Sequence, residues 1–197
     1  MAMTTRIVAL LALLASALMN AGGAVAGKSG AEAVAAASIP FVDQTGRNVT
    51  AKDYTGKPSL VVFGFTSCPS VCPTMLNEIA GRMNDLGAQA DALNFIFISV
   101  DPEQDTPQVL SDYVGYFDKR IIGLTGKIED IGAMAKYVGA HFQKVQLGPD
   151  RYTVDHSTMA FLMDRNWQRT GLLALDPSAD QRRAVAKLRA LIDAATH

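Results

Sequence analysis

The sequence has little of what nucleic-acid-binding proteins need. Lys and Arg total 18 against 19 Asp and Glu, the formal net charge is −1, and the basic residues form no long run. A nucleic-acid interface needs clustered positive charge to displace counterions from phosphates. The composition therefore argues against such an interface, and no nucleic acid is expected as a partner. The chain also lacks internal repeats, which excludes a solenoid or propeller.

Cysteine is equally scarce. The chain has only Cys68 and Cys72, four positions apart, so a disulfide-rich scaffold is excluded. A disulfide between them would close a loop of only a few residues, and a small loop stabilises a fold less than a long one. A chemical role is therefore favoured over a structural crosslink.

The first 26 residues resemble an export segment. Arg6 precedes an apolar stretch at 7–19, and Ala-Val-Ala at 24–26 gives small residues at cleavage spacing. We expect a signal peptide; the alternative is an uncleaved anchor, because residues 7–26 are about long enough to span a bilayer. Either one predicts an exported protein, in the bacterial periplasm or on the periplasmic face of the inner membrane. Membrane contact is expected only through this segment, if it is uncleaved.

The remaining length fits one domain. A chain of 197 residues, 49% hydrophobic and 19% charged, has room for a single globular unit after an export segment. Residues 27–38 are small and weakly polar and are expected to form a flexible lead-in without a core. The folded domain is expected over 39–197.

Apolar periodicity predicts the secondary structure of that domain. Uninterrupted β-branched runs predict strands buried on both faces, and apolar residues three and four apart predict helices. Thr106 is expected to cap a helix that opens with Pro107. The predicted elements are a hairpin at 41–50, strands at 59–65, 93–100, 152–163 and 171–175, a turn at 124–126, and helices at 73–86, 107–117, 127–138 and 177–195.

The order of these elements predicts an α/β fold. A buried strand that leads through a helix to a second buried strand implies a right-handed parallel crossover. The closing strand pair and helix complete a thioredoxin-like mixed sheet with helices on both faces. An N-terminal hairpin and an inserted helix are additions to that plan.

The cysteines lie where a strand gives way to a helix, in the CPSVCP segment at 68–73. A helix N-terminus has unpaired N–H groups and a positive dipole end, which favour thiolates. In a helical turn, residues four apart share one face, so the sulfurs of Cys68 and Cys72 are expected to converge. Soft thiolates select Cu(I) and, less exclusively, Zn(II).

A third metal ligand is expected from one of three histidines. His197 is terminal, and His141 is interpreted as a surface or helix-end residue. His156 precedes the last part of the predicted strand 152–163, and in thioredoxin-like folds this loop faces the cysteine turn, usually with a proline. The predicted site is therefore Cys68, Cys72 and His156, suited to Cu(I) and, with an added ligand, to Cu(II). Asp155 or Ser157 is expected to accept the other imidazole N–H.

Four segments together resemble the Sco/SenC family: FGFTSCPSVCP at 63–73, SVDPEQDTP at 99–107, GLTG at 123–126 and DHS at 155–157. The resemblance runs in order from about residue 41 to 175. It implies a copper-binding chaperone that delivers copper to the binuclear copper centre of cytochrome c oxidase subunit II, or a thiol reductant of that centre. It also implies that Cys68, Cys72 and His156 are the copper ligands.

Two positions depart from the family pattern. Ser70 stands where an acidic residue is frequent, which removes a negative charge near the site. The turn after Asp164 lacks the usual glycine, and Asn166 is expected to take the left-handed conformation in its place. Trp167, the only tryptophan, is expected to pack within the core or hairpin rather than to contact a partner.

Two functions from different classes follow. The first is a copper-transfer protein without turnover, with subunit II or another copper acceptor as its partner. The second is a thiol–disulfide oxidoreductase, with Cys68 as the attacking thiolate, Cys72 as the resolving thiol, and a thiol reductant as a further partner. Disulfide exchange does not need an imidazole, so His156 favours the copper function.

Overall fold

The computed structural model describes residues 30–178 and 180–196. The predicted export segment at 1–26 and His197 lie outside the described residues. No helix in these two ranges combines the length and the hydrophobicity that a membrane-spanning segment requires.

The described residues form five α-helices and nine β-strands. Short 3-10 turns lie at Ala51–Tyr54 and Gly87–Ala92. In chain order the elements are α1 Gly30–Ala37, β1 Pro40–Asp43, β2 Asn48–Thr50, β3 Ser59–Gly64, α2 Val71–Leu86, β4 Asn94–Ser99, α3 Pro107–Phe117, β5 Ile121–Thr125, α4 Ile128–Val138, β6 Phe142–Gly148, β7 Arg151–His156, β8 Met159–Met163, β9 Arg169–Ala174 and α5 Gln181–Ala195.

Seven strands form one mixed sheet in the order β2-β1-β5-β4-β3-β8-β9. The central strands β3, β4 and β5 are parallel, and the other pairs are antiparallel. Every residue of β3 is buried, as its apolar run predicts. Leu60 and Val62 pack in a core with residues of α2, α3 and α5, whereas Val61 and Phe63 pack in a second core with residues of α1 and α4. Helices therefore cover both faces, which confirms the thioredoxin-like prediction.

The predicted turn at 124–126 is wrong over its first two residues. Leu124 and Thr125 belong to β5, which pairs with β4 and with β1. Gly123, also in β5, allows close packing, because a Cβ on it would lie 3.3 Å from the Cβ of Leu110 in α3. The helix after β4 begins as predicted, with the Thr106 hydroxyl accepting from the Val109 amide at 3.3 Å.

The predicted strand 152–163 is two strands in two different sheets. Its first part, β7, pairs antiparallel with β6 in a separate two-stranded hairpin, and its second part, β8, enters the main sheet. The sequence prediction omits β6, since most of its residues are exposed and show no buried alternation. His156 is the last residue of β7 and lies opposite Phe142. It is therefore carried by the hairpin rather than by the main sheet.

The turn between β8 and β9 is built by a carboxylate and a buried indole. The Asp164 side chain accepts the amides of Asn166 and Gln168, both at 2.8 Å. Trp167 rather than Asn166 takes the left-handed conformation, with φ of 62°, so the Asn166 prediction is wrong. Trp167 is fully buried, and its carbonyl accepts the Tyr137 hydroxyl at 2.6 Å. The prediction that Trp167 packs within the core is confirmed.

The expected flexible lead-in is wrong over α1. Ala33, Ala36 and Ala37 are buried, and α1 packs against α4. Alanine has the strongest helix propensity, and its small side chain allows close approach of two helices. An alanine-rich segment without a large apolar residue on its inner face therefore still contributes to the core.

Substitutions on the two sides of α1 test this packing. Ala36 is 4% exposed and Val34 is 64% exposed. We expect Ala36→Gln to lower the free energy of unfolding by about 1–3 kcal/mol, because it forces an amide into an apolar contact. Val34→Gln is the matched control and should leave stability nearly unchanged. Urea unfolding measures both, and equal midpoints for the two variants would show that α1 does not pack as described.

Candidate metal centre

The two sulfurs are positioned by the junction between β3 and α2. After β3 ends, the Cys68 amide donates to the Phe65 carbonyl at 3.3 Å, which closes a turn before the helix. Helix α2 begins at Val71, so Cys72 lies in its first turn. The Cys72 amide donates to the Cys68 sulfur at 3.4 Å. The Cys68 sulfur thus occupies the helix N-terminus, where free amides favour negative charge.

His156 reaches the same point from the hairpin. Its Nδ1 lies 3.0 Å from the Ser157 carbonyl oxygen, and its Nε2 lies 3.3 Å from the Cys72 sulfur. A carbonyl only accepts hydrogen bonds, so Nδ1 carries the proton and the Nε2 lone pair faces Cys72. Of the two predicted contacts for the imidazole, the structure places Ser157 there through its backbone, whereas Asp155 is exposed. The Phe65 ring packs edge-on against the His156 ring, with 5.8 Å between the ring centroids.

The three predicted residues come together. The sulfurs of Cys68 and Cys72 and a ring nitrogen of His156 all lie within 4.8 Å of one another. Across the part of the chain that the structure describes, this is the single cluster of three such side chains that could hold a metal ion. His141 is exposed, and its amide and carbonyl bond to Ser157. That arrangement fits the structural role expected for His141.

The two cysteines differ sharply in environment. Cys72 is fully buried, whereas Cys68 is partly exposed. Burial raises the pKa of the Cys72 thiol well above its ordinary value, and a backbone hydrogen bond from Phe65 opposes this only in part. The sequence predicts thiolates at both positions from the helix N-terminus, but at Cys72 desolvation outweighs that effect. In the metal-free protein Cys72 is a protonated thiol that can donate to His156 Nε2.

Gly64 makes room for the buried sulfur. A Cβ at this position would lie 2.7 Å from the Cys72 sulfur and 2.7 Å from a ring carbon of Phe97. Sequence reasoning did not single out Gly64 as part of the site. The available signal was a glycine inside an otherwise apolar strand, which often marks a close approach.

Gly64→Ala tests this close approach. We expect the added methyl to displace the Cys72 side chain or the Phe97 ring and to weaken metal binding, because a Cβ contact below 3.0 Å forces a shift. Gly81→Ala in the same helix as Cys72 is the control, since nothing lies within 4 Å of its new Cβ. Calorimetric titration with a thiophilic metal compares the two variants. Unchanged binding by Gly64→Ala would contradict the packing described.

The asymmetry of the cysteines predicts an order of alkylation. The thiolate is the reactive form, and a raised pKa keeps Cys72 protonated as pH increases through the mildly alkaline range. Iodoacetamide should therefore modify the more exposed Cys68 first, and Cys72 only at higher pH or after unfolding. Peptide mass spectrometry over a pH series measures the order. Faster modification of Cys72 would mean that its sulfur is accessible.

Comparisons with known proteins agree with this geometry. The SCO1/SenC family model matches residues 28–193. An SCO2-like protein of Rickettsia prowazekii is 36% identical over 146 residues, which cover 72% of this chain and 71% of that protein. Protein SenC of Rhodobacter capsulatus is 37% identical over 138 residues, which cover 70% of this chain and 62% of SenC. The structure of Bradyrhizobium japonicum ScoI with copper bound has a TM-score of 0.71 and 38% identity, covering 78% of this chain and 96% of ScoI. The chain belongs to the SCO1/SenC family.

Proposed function

We propose that the protein binds copper through Cys68, Cys72 and His156 and delivers it to the binuclear copper centre of cytochrome c oxidase subunit II. The observation that carries the proposal is the convergence of two sulfurs and an imidazole nitrogen within 4.8 Å. The relative from Bradyrhizobium japonicum has been seen with copper bound, which supports the choice of metal. The subunit II acceptor rests on the family to which the chain belongs.

The donor set suits copper in both oxidation states. Two thiolates satisfy the soft Cu(I) ion, and the imidazole gives Cu(II) a nitrogen ligand that a dithiolate lacks. The Nδ1–H group donates to the Ser157 carbonyl, so His156 offers Nε2 as its ligand atom. The Cys72 thiol must lose its proton when copper binds, and copper affinity therefore increases with pH.

Transfer requires that an acceptor reach the ligands. Cys68 and His156 are partly exposed and face a groove of about 470 Å³, whereas Cys72 lies behind them. The groove is lined by Phe65, Cys68, Pro69, Ser70, Val71, Val145, Thr153, Val154, Asp155, His156 and Thr158. Ligand exchange with an incoming acceptor therefore begins at Cys68 or His156, and Cys72 is the last ligand to release the ion.

A thiol–disulfide oxidoreductase is the second candidate, and one arrangement favours it. Cys68 is the more exposed of the two cysteines, and Cys72 lies behind it in the same turn, as an attacking and a resolving thiol require. This function needs two sulfurs and access, but it does not need the imidazole as a ligand. It would act on the copper-ligand cysteines of the same subunit.

The site is proposed to work outside the cytoplasm. The support is the N-terminal sequence, with Arg6 before the apolar stretch 7–19 and small residues at 24–26. The bacterial periplasm or the periplasmic face of the inner membrane is the proposed location.

Substitution of His156 separates the two functions. We expect His156→Ala to weaken Cu(II) binding at least about tenfold, because a ligand and its orientation are lost. The same variant should still form and reduce the Cys68–Cys72 disulfide, whereas Cys72→Ser should lose both activities. His141→Ala is the matched control, since its side chain lies outside the ligand cluster. Copper titration with a competing chelator measures affinity, and thiol–disulfide equilibration measures the potential.

The same variants give a cellular test. Under copper limitation, His156→Ala should lower cytochrome oxidase activity, with partial rescue by added copper. Wild-type copper affinity and full oxidase activity in His156→Ala would favour the oxidoreductase. Rescue of a cysteine variant by external reductant rather than copper would do the same.

A further inference from the structure

We propose that Asp101 and Asp105 are positioning residues that together fix the distance between the cysteine turn and the hairpin bearing His156. Both belong to the loop between β4 and α3, here named the 101–105 loop. Neither touches a ligand atom through its side chain in any described hydrogen bond. The inference rests on the proposed function and extends it, by assigning a role to residues outside the ligand set.

Asp105 holds the cysteine turn. Its carboxylate is fully buried and accepts the Thr66 amide at 3.1 Å, the Thr66 hydroxyl at 2.6 Å and the Ser99 hydroxyl at 2.6 Å. Thr66 lies between the end of β3 and Cys68. Bonds to a buried carboxylate are stronger than those between neutral groups, so Asp105 fixes the chain just before the first sulfur.

Asp101 holds the hairpin. The Tyr152 hydroxyl lies 3.0 Å from each oxygen of the Asp101 carboxylate, which is 4% exposed. Tyr152 is on β7, four residues before His156. The hairpin strands pair with each other and not with the main sheet, so no ladder hydrogen bond fixes the hairpin to the body. The Asp101–Tyr152 bond supplies a direct link between them.

The 101–105 loop makes the two links one rigid unit. The Asp105 and Gln104 amides donate to the Asp101 carbonyl at 2.9 and 3.1 Å, and the Asp101 amide donates to the Ser99 hydroxyl at 3.1 Å. The Val100 amide donates to the Gly64 carbonyl at 2.8 Å, at the end of the strand that leads to the cysteines. The two carboxylates therefore cannot move independently. The 101–105 loop sets the separation between the cysteine turn and the hairpin.

A second link between the 101–105 loop and the hairpin provides a control. Glu103 of the loop pairs with Lys144 of β6 at 2.9 Å, but the two side chains are 69% and 40% exposed. Exposed ion pairs contribute little, since water and salt screen them. Glu103→Gln removes this link without touching either buried carboxylate.

The first test compares Tyr152→Phe with Glu103→Gln in the whole chain. Tyr152→Phe should weaken Cu(II) binding about tenfold and change its electron paramagnetic resonance spectrum, because His156 loses its fixed position. It should leave the Cys68–Cys72 disulfide potential unchanged. Glu103→Gln should match wild type in every measurement. Tyr152→Phe with wild-type affinity and spectrum would overturn the assignment of Asp101.

Asp105 is tested through the sulfurs. Asp105→Ala should shift the disulfide potential and the thiolate–copper absorption, and Asp105→Asn should restore part of both, since its amide oxygen still accepts the Thr66 amide. If Asp105→Ala does not fold, Thr66→Val removes one of the three donors and should shift both signals in the same direction. Wild-type signals in Asp105→Ala, or in Thr66→Val in its place, would overturn the role of Asp105.

Metal-free measurements separate this inference from the proposed function. Copper binding that is absent from wild type would overturn the proposed function only. In reduced, metal-free protein, Tyr152→Phe should still alter the His156 imidazole resonances, and Asp105→Ala should still shift the disulfide potential. If both signals stay at wild-type values, the positioning roles are wrong whatever the metal does.

Discussion

The contact between the Cys72 sulfur and His156 Nε2, at 3.3 Å, is the constraint on which the site depends, because it joins parts of the chain 84 positions apart. One side belongs to the central sheet, where β3 delivers the cysteines to the start of α2. The other side belongs to a hairpin that shares no ladder with that sheet. The local structure of either part does not create the site. The site exists only because the two parts are held at this distance.

The three side chains of the cluster differ in burial. Cys72 is fully buried beside Gly64, and desolvation raises the pKa of its thiol. Cys68 and His156 face the groove and are open to exchange. The first turn of α2 contains no acidic residue, so no carboxylate there competes with the sulfurs for the positive helix end. The cluster thus combines one fully buried cysteine with two partly exposed residues.

The sequence predicted the chemistry better than the architecture around it. CPSVCP and DHS identified the three side chains that the structure brings together, because short motifs keep donor types together. It failed where tertiary contacts override local pattern. Leu124 and Thr125, predicted as part of a turn, belong to β5, the exposed strand β6 lacks periodicity, and the buried Trp167 rather than Asn166 takes the left-handed conformation. The contacts of Asp101 and Asp105 were not predicted, because their partners Tyr152 and Thr66 are 51 and 39 residues away in sequence.

The separation of the cluster into a cysteine turn and a hairpin that carries His156 bears on the choice between copper transfer and thiol exchange. Disulfide exchange needs only the cysteine turn, because Cys68 and Cys72 lie within one turn of each other. A copper site of two sulfurs and an imidazole needs both the cysteine turn and the hairpin. This holds especially for Cu(II), which gains from a nitrogen ligand that the cysteine turn cannot supply. Several contacts fix the hairpin that carries His156. The Ser157 carbonyl sets the tautomer of His156, the ring packs against Phe65, and the hairpin is bonded to Asp101 through Tyr152. These contacts orient an imidazole toward two sulfurs, and metal binding uses that orientation where thiol exchange does not require it.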